Sequence, residues 1–337
     1  MINATIKDIA RRANVSTATV SYVINKSRYV SPERTDRVQK AIAELGYRPH
    51  ATARSLRSKR SCTIGLIVPD NANPFFADIA RGVEDAGFEA GYTVILCNSN
   101  AMLERELDYI DVLLSKRVDG IIFFSTSMEI EQVRPVVEMG IATAIFYRDP
   151  GNLDVDAFRI DNRKVGYLGT RHLIELGHKN IACIRPASMG LPSYRRVEGF
   201  QLALDEASLD CPLPLMPQGN NRISGGVRAA EQLLESNLPF TAIFAANDAM
   251  AIGAMRTLRD HGYQIPRDVS IVGVDDITLA SYTEPPLTTV AQPKADAGRL
   301  AVQYLVERME GRYLSGPREI ELEINLIVRD STTKASN

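Results

Sequence analysis

Near the N-terminus the apolar residues fall at helical spacing in three short runs separated by polar turns. Ile6, Ile9, Ala10 and Ala13 share one face of the first run. Thr5 stands before it as a cap, with Asp8 three residues on. The turn "ANVS" follows, where the Ser16 hydroxyl is placed to accept from the backbone N–H of Ala18 or Thr19. On the second run Val20, Val23 and Ile24 point inward, leaving Thr17, Ala18, Ser21, Tyr22 and Asn25 on the outer face. Ser31 as cap and Pro32 at the first helical position open the third. Its buried stripe is Val38, Ala41, Ile42 and Leu45, and Gly46 ends it.

From Thr63 onward the pattern changes. Short runs rich in Ile and Val, "TIGLIV", "YTVILC", "DGIIFF" and "ATAIFY", alternate with segments of helical spacing. That is the signature of buried parallel strands joined by crossover helices. The pattern then repeats with "NIACIRP", "TAIFAAND" and "SIVGVDD", and helices near 163–176, 193–207, 222–235 and 248–261. The body is therefore two similar α/β lobes, closed by "LTTVAQP", a helix at about 294–310 and "IELEINLIV". The chain is expected to cross between lobes near residues 161, 291 and 324. The expected division is a helical head at 1–48, a linker at 49–61 and a core at 62–337. Lobe 1 takes about 62–161 plus 292–323, and lobe 2 about 162–291 plus 324–333.

The second helical run is rich in Ser and Thr, whose hydroxyls compete for backbone hydrogen bonds and weaken a helix. A helix that must enter the major groove needs small polar residues on its outer face, and this one has them. Three short helices around one small core, the second following a tight turn, make a helix-turn-helix. Charge supports this. Residues 1–60 hold 13 Lys and Arg against 4 Asp and Glu, whereas the whole chain has a net charge of −2. A basic head on an acidic body is the electrostatic footprint of nucleic-acid binding. The segment "YRPHATARSLRSKR" after the head is basic, with too short a helical pattern to stand alone in water. It reads either as a flexible linker or as a segment that folds only when DNA is present.

Other classes find little support. The four cysteines, Cys62, Cys97, Cys183 and Cys211, are far apart and form no CxxC pair, which speaks against zinc and disulfides. His50, His172, His178 and His261 lack metal spacing. There is no GxSxG, phosphate loop or dinucleotide fingerprint, so no enzyme, metal or cofactor is expected. No apolar run reaches a membrane span, and "MINATIKDIARR" has no secretory apolar region, so a cytoplasmic protein is expected.

The segments "TIKDIARRANVSTATVSYVIN" and "ARSLR" closely resemble the lactose-repressor/galactose-repressor family of bacterial transcription regulators. "VPDNANPFF", "KRVDGII", "NDAMAIGA" and "PLTTVAQPK" resemble its ribose- and purine-repressor branch. The resemblance implies a helix-turn-helix head, a hinge helix and a periplasmic-binding-protein-like core. It also implies a homodimer on double-stranded operator DNA, controlled by a small effector. The residues then expected at DNA are Thr5, Ile6, Ser16, Thr17, Ala18, Ser21, Tyr22, Asn25, Lys26, Arg28 and Tyr47 in the head. In the hinge they are His50, Ala53, Arg54 and Leu56, with Leu56 matching the family's minor-groove wedge.

Ligands of open α/β sheets sit outside the carboxyl ends of the strands. The polar residues there include Asp70, Asn71, Asn73, Ser125, Thr126, Asp161, Asp248 and Asp276, with Phe75 and Phe76 beside them. By resemblance Phe75, Arg148, Arg196, Asn247, Asp275 and Gln292 match cleft positions of sugar-binding members, and Asn73 and Phe76 join them as candidates. Arg forks with carboxylate and amide acceptors suit vicinal hydroxyls. Purine-sensing members carry Arg where this chain has Gly190 and an aromatic near Asn221, which favours a sugar here. The family's usual aspartate after "ATAIF" is replaced by Tyr147, followed by Arg148. Arg148 and Arg196 leave an acidic or phosphorylated sugar open. A purine, or a phosphorylated carrier protein as the controlling partner, remains the alternative.

Overall fold

The computed structural model describes residues 4–25, 28–47, 60–124, 129–186, 194–314 and 316–335. Lys26, His50, Ala53, Arg54, Leu56, Ser125, Thr126 and Gly190 lie outside the described residues, as do most of the hinge and the side chain of Asn25. The chain divides into two compact units, 1–61 and 62–337.

The head consists of α1 (Ile6–Ala13), α2 (Thr17–Asn25) and α3 (Pro32–Glu44). Thr5 and Asp8 close a capping box on α1, the carboxylate accepting from the Thr5 N–H at 2.9 Å and its hydroxyl at 2.6 Å. The Ser16 hydroxyl accepts from the Thr19 N–H at 3.1 Å and so starts α2. Ile9, Ala10, Ala13, Val20, Val38 and Ala41 form the core, with Val23, Ile24, Ile42 and Tyr47 packed on it.

Three details differ from the periodic reading. Ser21 is buried rather than outward, at 7% exposure. α2 packs against both other helices, so its inner stripe is wider than Val20, Val23 and Ile24. Leu45 is exposed, because α3 ends at Glu44 and the residue has left the helical face. Ser31 occupies the cap position of α3, but its hydroxyl makes no capping bond.

The body begins with β1 (Thr63–Val68), α4 (Pro74–Glu89), β2 (Thr93–Asn98), α5 (Leu103–Ser115) and β3 (Gly120–Phe123). α6 (Ile130–Glu138), β4 (Ala142–Phe146) and β5 (Asp156–Arg159) follow. Then come α7 (Asn162–Glu175), β6 (Ile181–Ile184), α8 (Arg195–Glu206), α9 (Ile223–Glu235), β7 (Ala242–Ala245), α10 (Asp248–Asp260), β8 (Ser270–Asp275) and β9 (Thr288–Ala291). The chain closes with α11 (Lys294–Met309), β10 (Arg318–Glu321) and β11 (Asn325–Ile327).

Six strands form one sheet, in the order β10-β5-β4-β3-β1-β2, all pairs parallel. Five form the other, β11-β9-β8-β7-β6, where only β11 runs antiparallel to its neighbour. The chain thus passes between sheets after β5, after β9 and after β10. The strand β5 was not expected from the sequence, and the "IELEINLIV" run proves to be two strands, one in each sheet. Both β5 and β10 are fixed by charge. Asp156, fully buried, accepts from Arg308 and Arg318 at 2.8–2.9 Å, and Arg318 lies over the Tyr304 and Tyr313 rings.

In lobe 2, α7 and α8 cross in close contact because Gly166 faces the Arg196 backbone and Gly199 faces the backbone of Arg163. A Cβ at Gly166 would overlap the Arg196 carbonyl oxygen. Gly166→Ala is expected to push the helices apart and destabilise the body by about 1–3 kcal/mol, the usual cost of overpacking. Calorimetric melting checks this, and an unchanged melting temperature would show slack between the helices.

Candidate functional site

Two regions of the chain hold the candidate functional side chains. In the head, Thr17 and Ala18 are exposed at the start of α2, and Tyr22 is half-buried one turn on. The Arg28 guanidinium sits 5.4 Å from the Tyr22 ring centroid, which orients the ring and adds a cation beside it. Thr5 and Ser16 are occupied as caps. Ile6 and Tyr47 are half-buried against the helical core, so any DNA contact from them comes from their outer edges.

In the body the site is built around one carboxylate. Asp275 ends β8 and is 3% exposed, with its backbone in the left-handed region at φ 112°. That strained conformation turns the side chain toward the segment entering α11. Gln292 donates to Asp275 Oδ1 at 2.5 Å, and Arg196 Nη1 approaches the same oxygen at 3.5 Å. Lys294 donates to the backbone carbonyls of Asp275 and Asp276 at 2.8 and 2.5 Å. Burial pushes the Asp275 carboxyl up to about 6, with Arg196 and Lys294 holding it back.

Arg196 is itself tied down. It donates through Nε to Asn162 Oδ1 at 2.8 Å and through Nη1 to the Ala246 carbonyl at 2.6 Å. Asn162 opens α7, where the chain has just crossed between lobes, so Arg196 clamps one crossing while Gln292 marks another. The preceding Asp161 caps α7 by accepting from the Lys164 N–H at 2.9 Å.

Facing this network, Phe75, Phe124, Phe146 and Tyr147 form an aromatic wall that Gln292 and Lys294 border. Tyr147 adopts φ 64°, and burial raises its phenol well above the ordinary range. Its ring meets Phe124 and Phe146 edge-on at 6.3 and 6.2 Å. Phe76 packs edge-on to Phe75, 5.1 Å away. Across the lobes, Arg222 binds Asp70 at 2.8 Å. Arg222 is well exposed, so this pair adds little stability.

The structure therefore gathers Phe75, Arg196, Asp275 and Gln292. Asn73 and Asn247 serve as helix caps, accepting from the Phe75 and Met250 N–H groups at 3.0 and 2.9 Å. Asn247 also donates to the Asn221 carbonyl at 3.0 Å. Asp248 faces the core, bound to Thr289 and the Ile277 N–H, and burial raises its carboxyl well above the usual range. Arg148 is largely buried beside Tyr147, 3.7 Å from Glu129. Sequence reasoning missed Asn162 and Lys294 and noted Tyr147 only as a departure from pattern. Their closeness to the lobe crossings and to the end of β4 was the available signal.

A helical head and a two-lobed α/β body with a polar network at its crossings define a ligand-responsive DNA-binding regulator. Residues 61–327 match the family model described as periplasmic binding proteins and sugar binding domain of the LacI family, and residues 5–50 match that of bacterial regulatory proteins, lacI family. The chain belongs to the LacI family of DNA-binding transcriptional regulators. It is 40% identical over 336 residues to the HTH-type transcriptional repressor PurR of Vibrio atlanticus (strain LGP32), covering 99% of this chain and 100% of that one. To the ribose operon repressor of Escherichia coli (strain K12) it is 41% identical over 311 residues, covering 91% and 93%. The solved lac repressor dimer bound to operator and the anti-inducer ONPF superposes with a TM-score of 0.86 at 26% identity, covering 98% of this chain and 100% of that one. Among the described residues no helix is long and apolar enough to cross a membrane, and no cluster of metal-ligating side chains occurs.

The raised Asp275 carboxyl has a consequence for stability. Because its folded value of about 6 lies above the ordinary 3.8, this group favours folding most below about pH 4 and loses that contribution as pH rises to about 6. Carboxyl-carbon NMR should find the Asp275 midpoint near 6. The difference in unfolding free energy between wild type and Asp275→Asn should shift against wild type between about pH 4 and pH 6. A midpoint near 4 would contradict this electrostatic picture.

Proposed function

We propose that the protein represses genes of carbohydrate uptake or catabolism, binding operator DNA as a homodimer in the cytoplasm and releasing or tightening its hold when a sugar-like effector enters the cleft. It performs no catalysis in this reading. The supporting observation is the Asp275 network, where a fixed carboxylate, a Gln amide and an Arg fork share one buried corner beside an aromatic wall. Such a corner suits a hydroxyl-rich ring, with the C–H face on Phe75 and the hydroxyls on Asp275, Arg196 and Gln292. Arg148, Asn73, Phe76 and Asn247 form the surrounding shell.

The proposed organisation is a DNA-reading head at 1–48, a hinge at 49–61 and an effector core at 62–337. Thr17, Ala18 and Tyr22 read bases, with Ser21 and Asn25 on the same helix. Thr5, Ile6, Ser16, Lys26, Arg28 and Tyr47 position the head. His50, Ala53, Arg54 and Leu56 act in the minor groove. A single short recognition helix contacts too few base pairs to be selective, which favours two heads on one operator. The effector acts by population shift, favouring one lobe arrangement over another.

Tyr22→Ala should weaken binding to the best operator by about 1–3 kcal/mol and binding to random DNA little. Fluorescence anisotropy on both DNAs checks this, and equal losses would assign Tyr22 to positioning alone. Among pentoses, hexoses, their phosphates and purines, a melting-temperature screen of the intact protein should find its hits among the sugars. A hit confined to purines would replace the sugar reading.

A further inference from the structure

Asp70 and Arg222 stand 152 residues apart in the chain and belong to different lobes. Arg222 donates through Nε and Nη2 to Asp70 Oδ2 at 3.0 and 2.8 Å. Each partner is set in place by its own loop. Asp70 follows β1, and its Oδ1 accepts from the Ala72 N–H at 3.1 Å, which leaves Oδ2 for the arginine. The Asn71 N–H donates to Asn98 Oδ1 at 2.8 Å, tying this turn to the end of β2. In lobe 2 the Arg222 N–H donates to Asn220 Oδ1 at 3.0 Å, just before α9 begins. Asn247, just past β7, donates to the Asn221 carbonyl at 3.0 Å and fastens the loop to the lobe.

The place of this pair in the two sheets matters more than its strength. In lobe 1 the chain leaves from β5 and β10, neighbours at one edge of the sheet. β1, which leads to Asp70, is three strands over from β5, about 14 Å at the usual strand spacing. In lobe 2 the chain leaves from β9 and returns to β11, again neighbours at one edge. Arg222 comes from the other side, because Gln218 bridges to Arg185 just past β6, the opposite edge strand. The pair therefore spans the side of the cleft away from the crossings. Gln292 and Lys294 also bond from one lobe to the other, but beside a crossing, where the chain itself keeps the partners together. When two lobes turn about a hinge, the contacts farthest from it separate most.

We propose that Asp70 and Arg222 form a latch across the open side of the cleft, made with the lobes as they stand here and broken when they part. An ion pair this exposed adds little to folding, but a bias of about two- to five-fold on an equilibrium between two lobe arrangements is within its reach. Asn247 is a positioning residue of the latch, acting through the Asn221 carbonyl. Anything held between the lobes leaves only after the pair has parted. That consequence rests on the effector reading of the cleft, whereas the latch itself rests on the pair and its place in the fold.

The test measures the distance between the lobes in the full chain with no ligand added. Genetically encoded spin labels replace Arg81 on α4 and Arg228 on α9, both exposed, and labelled protein is diluted with unlabelled so that distances within one chain are read. Double electron–electron resonance then gives the distance distribution. Asp70→Asn, which keeps an acceptor for the Ala72 N–H, and Arg222→Gln should each enlarge the longer-distance population about two- to five-fold. The double variant should do no more than either single change, since both remove one interaction. Arg222→Lys should fall between wild type and Arg222→Gln. About 1 M NaCl should shift wild type in the same direction and leave the double variant unmoved. Thermal melting confirms that each variant is folded. A distribution indifferent to both substitutions, or single effects that multiply in the double variant, would overturn the latch. Neither result involves a sugar, so failure here leaves the effector reading standing, and a melting screen that finds only purines leaves the latch standing.

Discussion

A carboxylate removed from water has to be met by donors, and the donors that meet Asp275 come from separate parts of the body. Gln292 and Lys294 lie where the chain leaves β9 for α11, and Arg196 lies at the head of α8. Arg196 in turn holds Asn162, at the crossing that follows β5. Two of the three connections between lobes are therefore bonded into the same corner. Any ligand that takes a hydrogen bond from Arg196, or gives one to Asp275, competes with contacts that define how the crossings are held. That is the physical route by which a small molecule can bias the arrangement of two lobes.

The packing beneath supports this corner. Arg196 can reach Asn162 and the Ala246 carbonyl because α7 and α8 touch backbone to backbone at Gly166 and Gly199. On the opposite wall, Phe124 and Phe146 stack with ring centroids 3.6 Å apart and Phe158 extends the stack. The aromatic wall is thus an extension of the lobe 1 core, and the polar wall is an extension of helix packing in lobe 2. A site built from two stiff surfaces joined by short crossings suits a switch better than one built from loops.

Much of this organisation was legible in the sequence. The head's helices follow from period and capping, and Thr5, Asp8 and Ser16 take the capping roles their spacing implies. The alternating body follows from the Ile- and Val-rich runs. The misses have physical causes. β5, with the sequence "DAFR", is too short and too polar to show a strand period, and the ion pairs of Asp156 that fix it are long-range. The "IELEINLIV" run, by contrast, changes sheets between β10 and β11, at the crossing expected near residue 324. Ser21 is buried because α2 is pressed from two sides, which its own pattern does not encode. At the site, residue types at strand ends and the family resemblance picked out Phe75, Arg196, Asp275 and Gln292. Tyr147 and Asn162 come into the site through left-handed backbone and helix packing, and a one-dimensional pattern carries neither.

The central claim is that the Asp275 corner transmits ligand occupancy to DNA affinity. It is tested most directly by measuring operator affinity with and without a saturating sugar drawn from the melting screen, in wild type and in Asp275→Asn. The account predicts a change of about 5–150-fold in wild type, the usual range of allosteric coupling. It predicts no change on adding sugar to the variant, whatever the variant's operator affinity without it. A variant that still answers to the sugar as wild type does would contradict it.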